Sequence, residues 1–170
     1  METSPSPLLA PATHPGGWVP AALITGLLAG TLDIAAACTQ YGLATHKSPV
    51  NVLNFVASGV FGPAAFAGGP GMALAGLGFH YLIATGWAGA FYWSYPRVAL
   101  LRQSPVLVGL LYGAAVWLVM NRLVLPNSQA PKLPFKPGAA ALGLGILMLC
   151  IGLPIAWRAA RYYARHPAAR

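Results

Sequence analysis

The sequence predicts an all-α integral membrane protein: a bundle of four transmembrane helices with a short interfacial or re-entrant helix between the first and the second. Composition points to this class, because 57% of the 170 residues are hydrophobic and only 7% are charged, against about 25% in soluble domains. The mean hydropathy of +0.64 agrees. The apolar residues also fall into runs of about 20, the length that crosses a bilayer. Together these observations exclude an ordinary soluble domain and a disordered chain.

The chain is predicted to hold a single membrane domain, residues 18–157, between two tails. Residues 1–17 are rich in Pro, Ser and Thr, with no basic segment ahead of an apolar stretch, so we expect a flexible tail rather than a signal peptide. Residues 158–170 contain four arginines and are predicted to form a basic C-terminal tail. The first span, residues 18–41, is interrupted only by Asp33.

Three further apolar runs predict the other spans. Residues 72–93 end in an aromatic cluster, as expected where a helix reaches the lipid headgroups. Residues 105–125 begin at Pro105, a residue suited to the first turn of a helix. Residues 138–157 contain Pro154 and run into the basic tail. The expected architecture is therefore four spans, with a longer segment between the first and the second.

The segment between the first two spans predicts a short helix. Ser48 precedes a proline and favours a helix start, and Gly62 precedes another and favours a stop, which leaves residues 49–61. Such a helix is about 20 Å long, too short to cross a bilayer. Asn51 and Asn54 offer it a polar side, so an interfacial or a re-entrant position is expected. If it did cross, the protein would have five spans and an external N-terminus.

The basic residues predict the orientation of the bundle. Four spans place both termini on one side, with six basic residues against four on the other, so both termini are predicted to be cytoplasmic. The five-span alternative would gather seven inside against three. All the basic residues lie at the edges of apolar runs or outside them, so no nucleic-acid partner is expected. The six are Arg97, Arg102, Arg158, Arg161, Arg165 and Arg170, and the four are Lys47, Arg122, Lys132 and Lys136.

Asp33 and His80 are the leading candidates for a functional site. Asp33 is the only acidic residue beyond the N-terminal tail, and an ionisable group within a span costs a few kcal/mol unless it has a partner. In the four-span arrangement the two residues lie at depths of roughly 12 and 14 Å from the same membrane face, so they can pair. In the five-span alternative they are offset by roughly 7 Å. The pair suggests either a proton-accepting site or a structural hydrogen bond between two helices.

Other polar side chains within or near the spans offer a candidate polar path, although each also has a packing or interfacial explanation. They are Gln40, Tyr81, Thr85, Tyr112 and Asn121.

Small residues at helical spacing predict close helix packing, within the chain or against a partner subunit or second copy. These residues are Gly26, Gly30, Gly76, Gly109, Gly113 and Gly143.

The sequence gives no sign of enzyme chemistry. It has no zinc-protease, nucleophile-elbow or phosphate-loop motif, and no acidic cluster that could hold a metal. Only one histidine lies within a span, whereas electron-carrying b-type haem sites usually use two. Cys38 and Cys150 lie in separate apolar runs and are predicted to be free thiols. We therefore expect no enzyme, no cofactor and no metal.

Three segments carry a resemblance to a family: residues 58–69 (SGVFGPAAFAGG), 78–84 (GFHYLIA) and 119–126 (VMNRLVLP). The chain resembles small four-helix inner-membrane proteins of bacteria over residues 26–126. The resemblance implies a bacterial inner membrane and favours four spans. Since that family has no established activity, it supplies no site residues.

Two functions remain open on these observations. One is a structural or accessory subunit of a membrane complex, in contact with lipid and with other subunits or copies of itself. The other is a small transporter or proton-conducting protein that uses Asp33 and His80. The spans hold few polar groups at mid-depth and enclose little volume, which favours the accessory subunit.

Overall fold

A computed structural model describes residues 17–166, and the elements within this range are helices and turns, with no strand. The predicted all-α class is confirmed. The helices are α1 (Trp18–Thr45), α2 (Val50–Phe61), α3 (Gly69–Ser94), α4 (Pro105–Val119), α5 (Pro137–Ile146) and α6 (Leu153–Arg165).

Two π-helical turns extend or join these helices. Met120–Val124 continues α4, and Leu147–Gly152 joins α5 to α6 in one continuous helix. Each turn is followed within two residues by a proline, Pro126 or Pro154. Because proline lacks an amide hydrogen and its ring crowds the carbonyl four residues earlier, the regular ladder cannot continue there. Short 3₁₀ turns follow α2 at Gly62–Phe66, precede α4 at Ala99–Arg102 and follow the first π-helical turn at Leu125–Asn127.

Three helices are long and apolar enough, by length and composition, to cross a membrane: Trp18–Thr45, Pro105–Asn127 and Pro137–Arg165. Helix α3 is not among them. Its 26 residues span about 39 Å, but its glycines, aromatic residues and single histidine lower its hydropathy. The fourth span at residues 72–93 therefore stays a prediction. Helix α2 continues into its 3₁₀ turn as a shorter apolar helix, Val50–Phe66.

Neighbouring long helices run antiparallel. Thr25 near the start of α1 contacts Tyr92 near the end of α3, and Asp33 further along α1 approaches His80. Thr25 also contacts Arg158 of α6. Helices α4 and α5–α6 are likewise antiparallel, as the glycine contacts below show.

This arrangement gathers the arginines and the lysines at opposite ends of the bundle. The starts of α1 and α4 and the ends of α3 and α6 lie together, and we call this the arginine end. It carries Arg97, Arg102, Arg158, Arg161 and Arg165. The opposite end, the lysine end, carries Lys47, Arg122, Lys132 and Lys136.

Glycines allow the helix backbones to touch. A Cβ atom on Gly113 would lie 2.5 Å from the Cα atom of Met148, and one on Gly109 would lie 2.9 Å from the Cα atom of Leu153. A Cβ on Gly152 would meet the carbonyl oxygen of Gly109. Residue 152 was not among the sequence candidates, although Gly152 and Ala156 are small residues spaced four apart. Side chains at these positions are excluded by backbone atoms, which cannot rotate away.

Two other candidate glycines lie at contacts of different tightness. A Cβ on Gly76 of α3 would meet the carbonyl oxygen of Leu53 in α2. Gly143 is the loosest of the set, since its Cβ would lie 3.5 Å from the indole nitrogen of Trp117.

The chain differs from its sequence-based description at the C-terminal end of the described range. Helix α6 continues to Arg165, so residues 158–165 form packed helix rather than a basic tail. The arginines share one face of α6, whereas the opposite face is buried through Ile155 and Ala159. Residues 167–170 lie outside the described range, as does the predicted flexible tail except for Gly17.

Helix α2 also differs in the direction of its polar side. Asn54 and Ser58 are buried, whereas Val60 and Phe61 are exposed. The polar side of α2 therefore faces the protein, not the surroundings.

We expect Gly113→Ala to lower the free energy of unfolding by about 1–3 kcal/mol, because the added methyl group collides with backbone atoms of the π-helical turn. Gly145→Ala is the matched control, since a Cβ there meets nothing within 4 Å; alanine's higher helix propensity makes it neutral or stabilising. The melting temperatures of both variants are measured by thermal unfolding in detergent, with size-exclusion chromatography as the readout. Equal melting temperatures for the two variants would show that the α4 contact is not tight.

Candidate functional site

The close approach of α1 and α3 brings Asp33 and His80 together. A Cβ atom on Gly26 would lie 2.5 Å from the Cα atom of Thr85, and one on Gly30 would lie 3.0 Å from the Cβ of Ala84. With the backbones this close, Oδ2 of Asp33 lies 4.0 Å from Nε2 of His80. The two side chains singled out by depth therefore occupy one site.

The strongest contact of His80 is with the backbone of α1. Its Nε2 atom lies 2.8 Å from the carbonyl oxygen of Gly30. Because a carbonyl oxygen only accepts, Nε2 carries the hydrogen and donates it. Nδ1 takes no part in the bond to Gly30. This geometry gives His80 a structural role in fixing the register of α1 against α3.

The carboxyl group of Asp33 is incompletely satisfied. Its side chain is 15% exposed, and its Oδ1 atom is buried without a donor from any residue in the range 17–166. A buried oxygen without a donor loses its hydration and gains nothing in return. Asp33 is thus a group that a suitable hydrogen-bond donor would stabilise.

Asp33 and His80 line a cavity of about 580 Å³. The cavity lies between α3 and α4, with the end of α2 and both π-helical turns around it. Apart from Asp33, His80, Asn121 and Ser128, its lining is almost entirely apolar or aromatic. The pair therefore marks the polar part of an otherwise apolar space.

The other polar candidates do not form a path to this pair. Helix α3 is cross-linked to α1 at a separate point, where the hydroxyls of Tyr81 and Thr31 lie 2.9 Å apart. Tyr81 is the donor in this bond, because the Thr31 hydroxyl donates its own hydrogen to the carbonyl oxygen of Leu27. The rest bond to carbonyl oxygens: Thr85 to Tyr81 at 2.7 Å, Tyr112 to Trp87 at 2.7 Å and Asn121 to Trp117 at 2.9 Å. Of the five polar candidates, only Asn121 lines the cavity of Asp33. Gln40 lines a second cavity at the lysine end.

A second polar site, at the arginine end, was not predicted. The Thr25 hydroxyl donates to the carbonyl of Ala21 at 2.7 Å and accepts from Tyr92 at 3.0 Å and from Nε of Arg158 at 3.0 Å. All three hydrogen-bonding positions of this buried hydroxyl are therefore used. The Tyr163 hydroxyl adds a bond to the carbonyl oxygen of Tyr92 at 2.7 Å. The site ties α1, α3 and α6 together.

Aromatic rings surround this second site. Tyr95 stacks on Tyr163 with ring centroids 4.9 Å apart. Burial raises the pKa of the Tyr95 hydroxyl above its usual value, and the positive charge of Arg102 opposes that rise. The hydroxyl therefore stays protonated and neutral at physiological pH.

Within the described part of the chain, no cluster of three or more His, Cys, Asp or Glu side chains could hold a metal ion. Cys38 and Cys150 are both free. No protein-family model, curated protein or solved structure matches this chain. The resemblance to small bacterial inner-membrane proteins therefore stays a prediction.

Thr25→Val should lower the free energy of unfolding by about 1–3 kcal/mol, because it leaves the buried Tyr92 hydroxyl and Nε of Arg158 without their acceptor. Thr39→Val is the control, since the exposed Thr39 hydroxyl bonds only to the carbonyl of its own helix at 2.8 Å. The free energies of unfolding of the two variants are compared by SDS titration monitored through tryptophan fluorescence. A control as destabilised as Thr25→Val would contradict a special role for Thr25.

His80→Gln should keep most of the stability, since a glutamine amide nitrogen can donate to the carbonyl of Gly30 as Nε2 does, whereas His80→Leu should lose about 1 kcal/mol. The same SDS titration measures both variants. If leucine is tolerated as well as glutamine, the bond to Gly30 does not hold α1 against α3.

Proposed function

We propose that this chain is a multi-pass protein of the bacterial inner membrane and a non-catalytic structural or accessory subunit of a membrane complex. The observation that carries the proposal is a row of small residues on the outer side of α3. Gly78, Gly86 and Ala90 are exposed and lie on one face of α3 at multiples of four residues, with the exposed Leu82 between the two glycines. We call this row the outer stripe of α3.

The glycines of the outer stripe are not explained by packing within the chain. Cβ atoms on Gly78 or Gly86 would meet nothing within 4 Å, whereas Gly76 on the inner side is needed for the contact with α2. Glycine in a helix interior is about 1 kcal/mol less favourable than alanine. In a bilayer, small residues let a second helix approach closely, and that is the use which the outer stripe supports. The proposed occupant is a transmembrane helix of a partner subunit.

The polar side chains support an accessory role over proton conduction. Tyr81, Thr85 and Tyr112 are engaged in bonds within α3 or to its neighbours, and these bonds do not lead to Asp33. Proton conduction requires a chain of groups that can exchange protons across the bilayer. The Tyr81 and Tyr112 bonds instead cross-link α3 to α1 and to α4, and the Thr85 bond lies within α3.

We further propose that the bundle has four spans with both termini in the cytoplasm. Helix α3 runs antiparallel to α1, with Tyr92 beside Thr25 and His80 beside Asp33. We therefore take α3 as a span next to α1, which brings the number of spans to four. The arginine end holds the start of α1, the end of α6 and the greater number of basic residues, which supports its cytoplasmic position. The exposed side of α2 is apolar, which supports a re-entrant rather than an interfacial helix.

The double variant Gly78→Leu with Gly86→Leu should abolish partner binding, because two large side chains on the outer stripe prevent close helix approach. The measurement is extraction in mild detergent at native expression level, followed by native mass spectrometry. Unchanged protein is expected to carry a stoichiometric foreign subunit that the double variant lacks. Gly145→Leu, which adds the same side chain at another open glycine of the bundle, should retain it.

Two results would overturn the accessory role. A monodisperse monomer without a foreign chain would remove the partner, and a homo-oligomer that survives the double variant would show that the outer stripe is not a contact.

A further inference from the structure

The cavity between α3 and α4 opens to the outside of the bundle. The two helices meet toward the arginine end, where the ring of Tyr112 lies 4.7 Å from that of Phe91 and 6.1 Å from that of Trp87. Beyond this contact, the space between α3 and the last turns of the α4 helix is the cavity. Its lining includes Leu82 and Val124, which are 68% and 39% exposed.

The mouth is apolar, so the cavity is reached from lipid. Val60 at the end of α2 also lines it and is 50% exposed. A membrane-dissolved molecule can enter between such side chains without losing favourable contacts, whereas an ion or a sugar would have to shed its hydration. The occupant must therefore be largely hydrophobic.

The interior adds a requirement for positive charge or a hydrogen-bond donor. Oδ1 of Asp33 is buried without a donor from the described residues, and none of the residues that line the cavity is Lys or Arg. His80 does not fill this place, because its Nε2 hydrogen points to Gly30 and its nearest approach is to the other carboxylate oxygen. A carboxylate in such low-dielectric surroundings is strongly stabilised by a cationic donor.

The aromatic residues of the lining fit the same ligand. Phe55, Phe79 and Trp87 come from α2 and α3 and lie on the cavity wall. Aromatic faces attract ammonium groups through their ring quadrupoles, and the attraction is stronger away from water. Both π-helical turns also contribute wall residues, including Met120 and Ile151, and such widened turns occur frequently at functional sites.

We propose that this cavity binds a lipophilic ammonium compound: a protonated amine on an apolar body, which enters from the bilayer between α3 and α4. The ammonium group pairs with the carboxylate of Asp33, whose side chain is 15% exposed, and the apolar body fills the space against Leu82 and Ile83. Leu82 lies beside the glycines of the outer stripe and also at the mouth of this cavity, but the inference rests on the Asp33 carboxylate and not on the accessory role.

The probe is tritiated N,N-dimethyldodecylamine, which is protonated at pH 7, and dodecanol is its neutral, chain-matched competitor. Binding is measured by scintillation proximity on protein in phosphatidylcholine nanodiscs, with empty nanodiscs as the partition background. We expect saturable binding to unchanged protein that dodecanol does not displace. Asp33→Asn should weaken it by about 10- to 100-fold, the effect of losing a charge-assisted hydrogen bond.

A second variant tests the apolar part of the site. Ile83→Trp places a larger side chain in the cavity without touching the carboxylate, and it should also abolish binding. Thr39→Val, on the same helix as Asp33 but not on the cavity wall, should bind as unchanged protein does.

Three results would overturn the proposal: binding no greater than to empty nanodiscs, unchanged affinity in Asp33→Asn, or equal displacement by dodecanol, which would indicate a site for neutral lipids. The comparison of amine with alcohol needs no variant, so it decides the question even if Asp33→Asn does not fold.

Discussion

The absence of a side chain at Gly26 sets the distance between α1 and α3, and the polar sites of the bundle depend on that distance. With Gly26 against the backbone of Thr85, residues on either side of the contact come within bonding range. Toward the arginine end this brings Thr25 to Tyr92, and toward the lysine end it brings Asp33 to His80. A methyl group at position 26 would separate both pairs at once, because two helices in contact move as rigid bodies.

Polar side chains in this bundle serve mainly as cross-links in surroundings that offer no water. The Thr25 hydroxyl shows this most fully, because its one hydrogen and both lone pairs are used by three different helices, its own included. Tyr81 and Tyr112 each place a hydroxyl on a neighbouring helix. Asp33 and Asn54 are the exceptions, because Oδ1 of each is buried without a donor from the described residues. Of these two residues only Asp33 lines the cavity between α3 and α4, and an unpartnered carboxylate beside a cavity is the strongest indication of a ligand here.

Composition and spacing were sufficient to predict part of this structure. The apolar runs identified α1, α4 and α5–α6, since length and hydropathy alone determine whether a helix can cross a bilayer. Depth along two helices was enough to suggest that Asp33 and His80 meet, and the structure places them 4.0 Å apart. The small-residue repeats predicted the close contacts at Gly26 and Gly113, because helices whose backbones touch need residues without a side chain at the point of contact.

Other features had no local signal. Arginines after residue 157 read as the end of a span, although their spacing places them on one face of a helix that continues. The bond from Arg158 to Thr25 joins residues 133 positions apart, and no pattern within either segment reveals it. That bond also constrains how the protein is made. At a synthesis rate of roughly 5–20 residues per second, the first helix waits on the order of ten seconds for its last partner. During this interval the place of Arg158 beside Thr25 is open to lipids, water or the insertion machinery, and the site is completed only when α6 arrives.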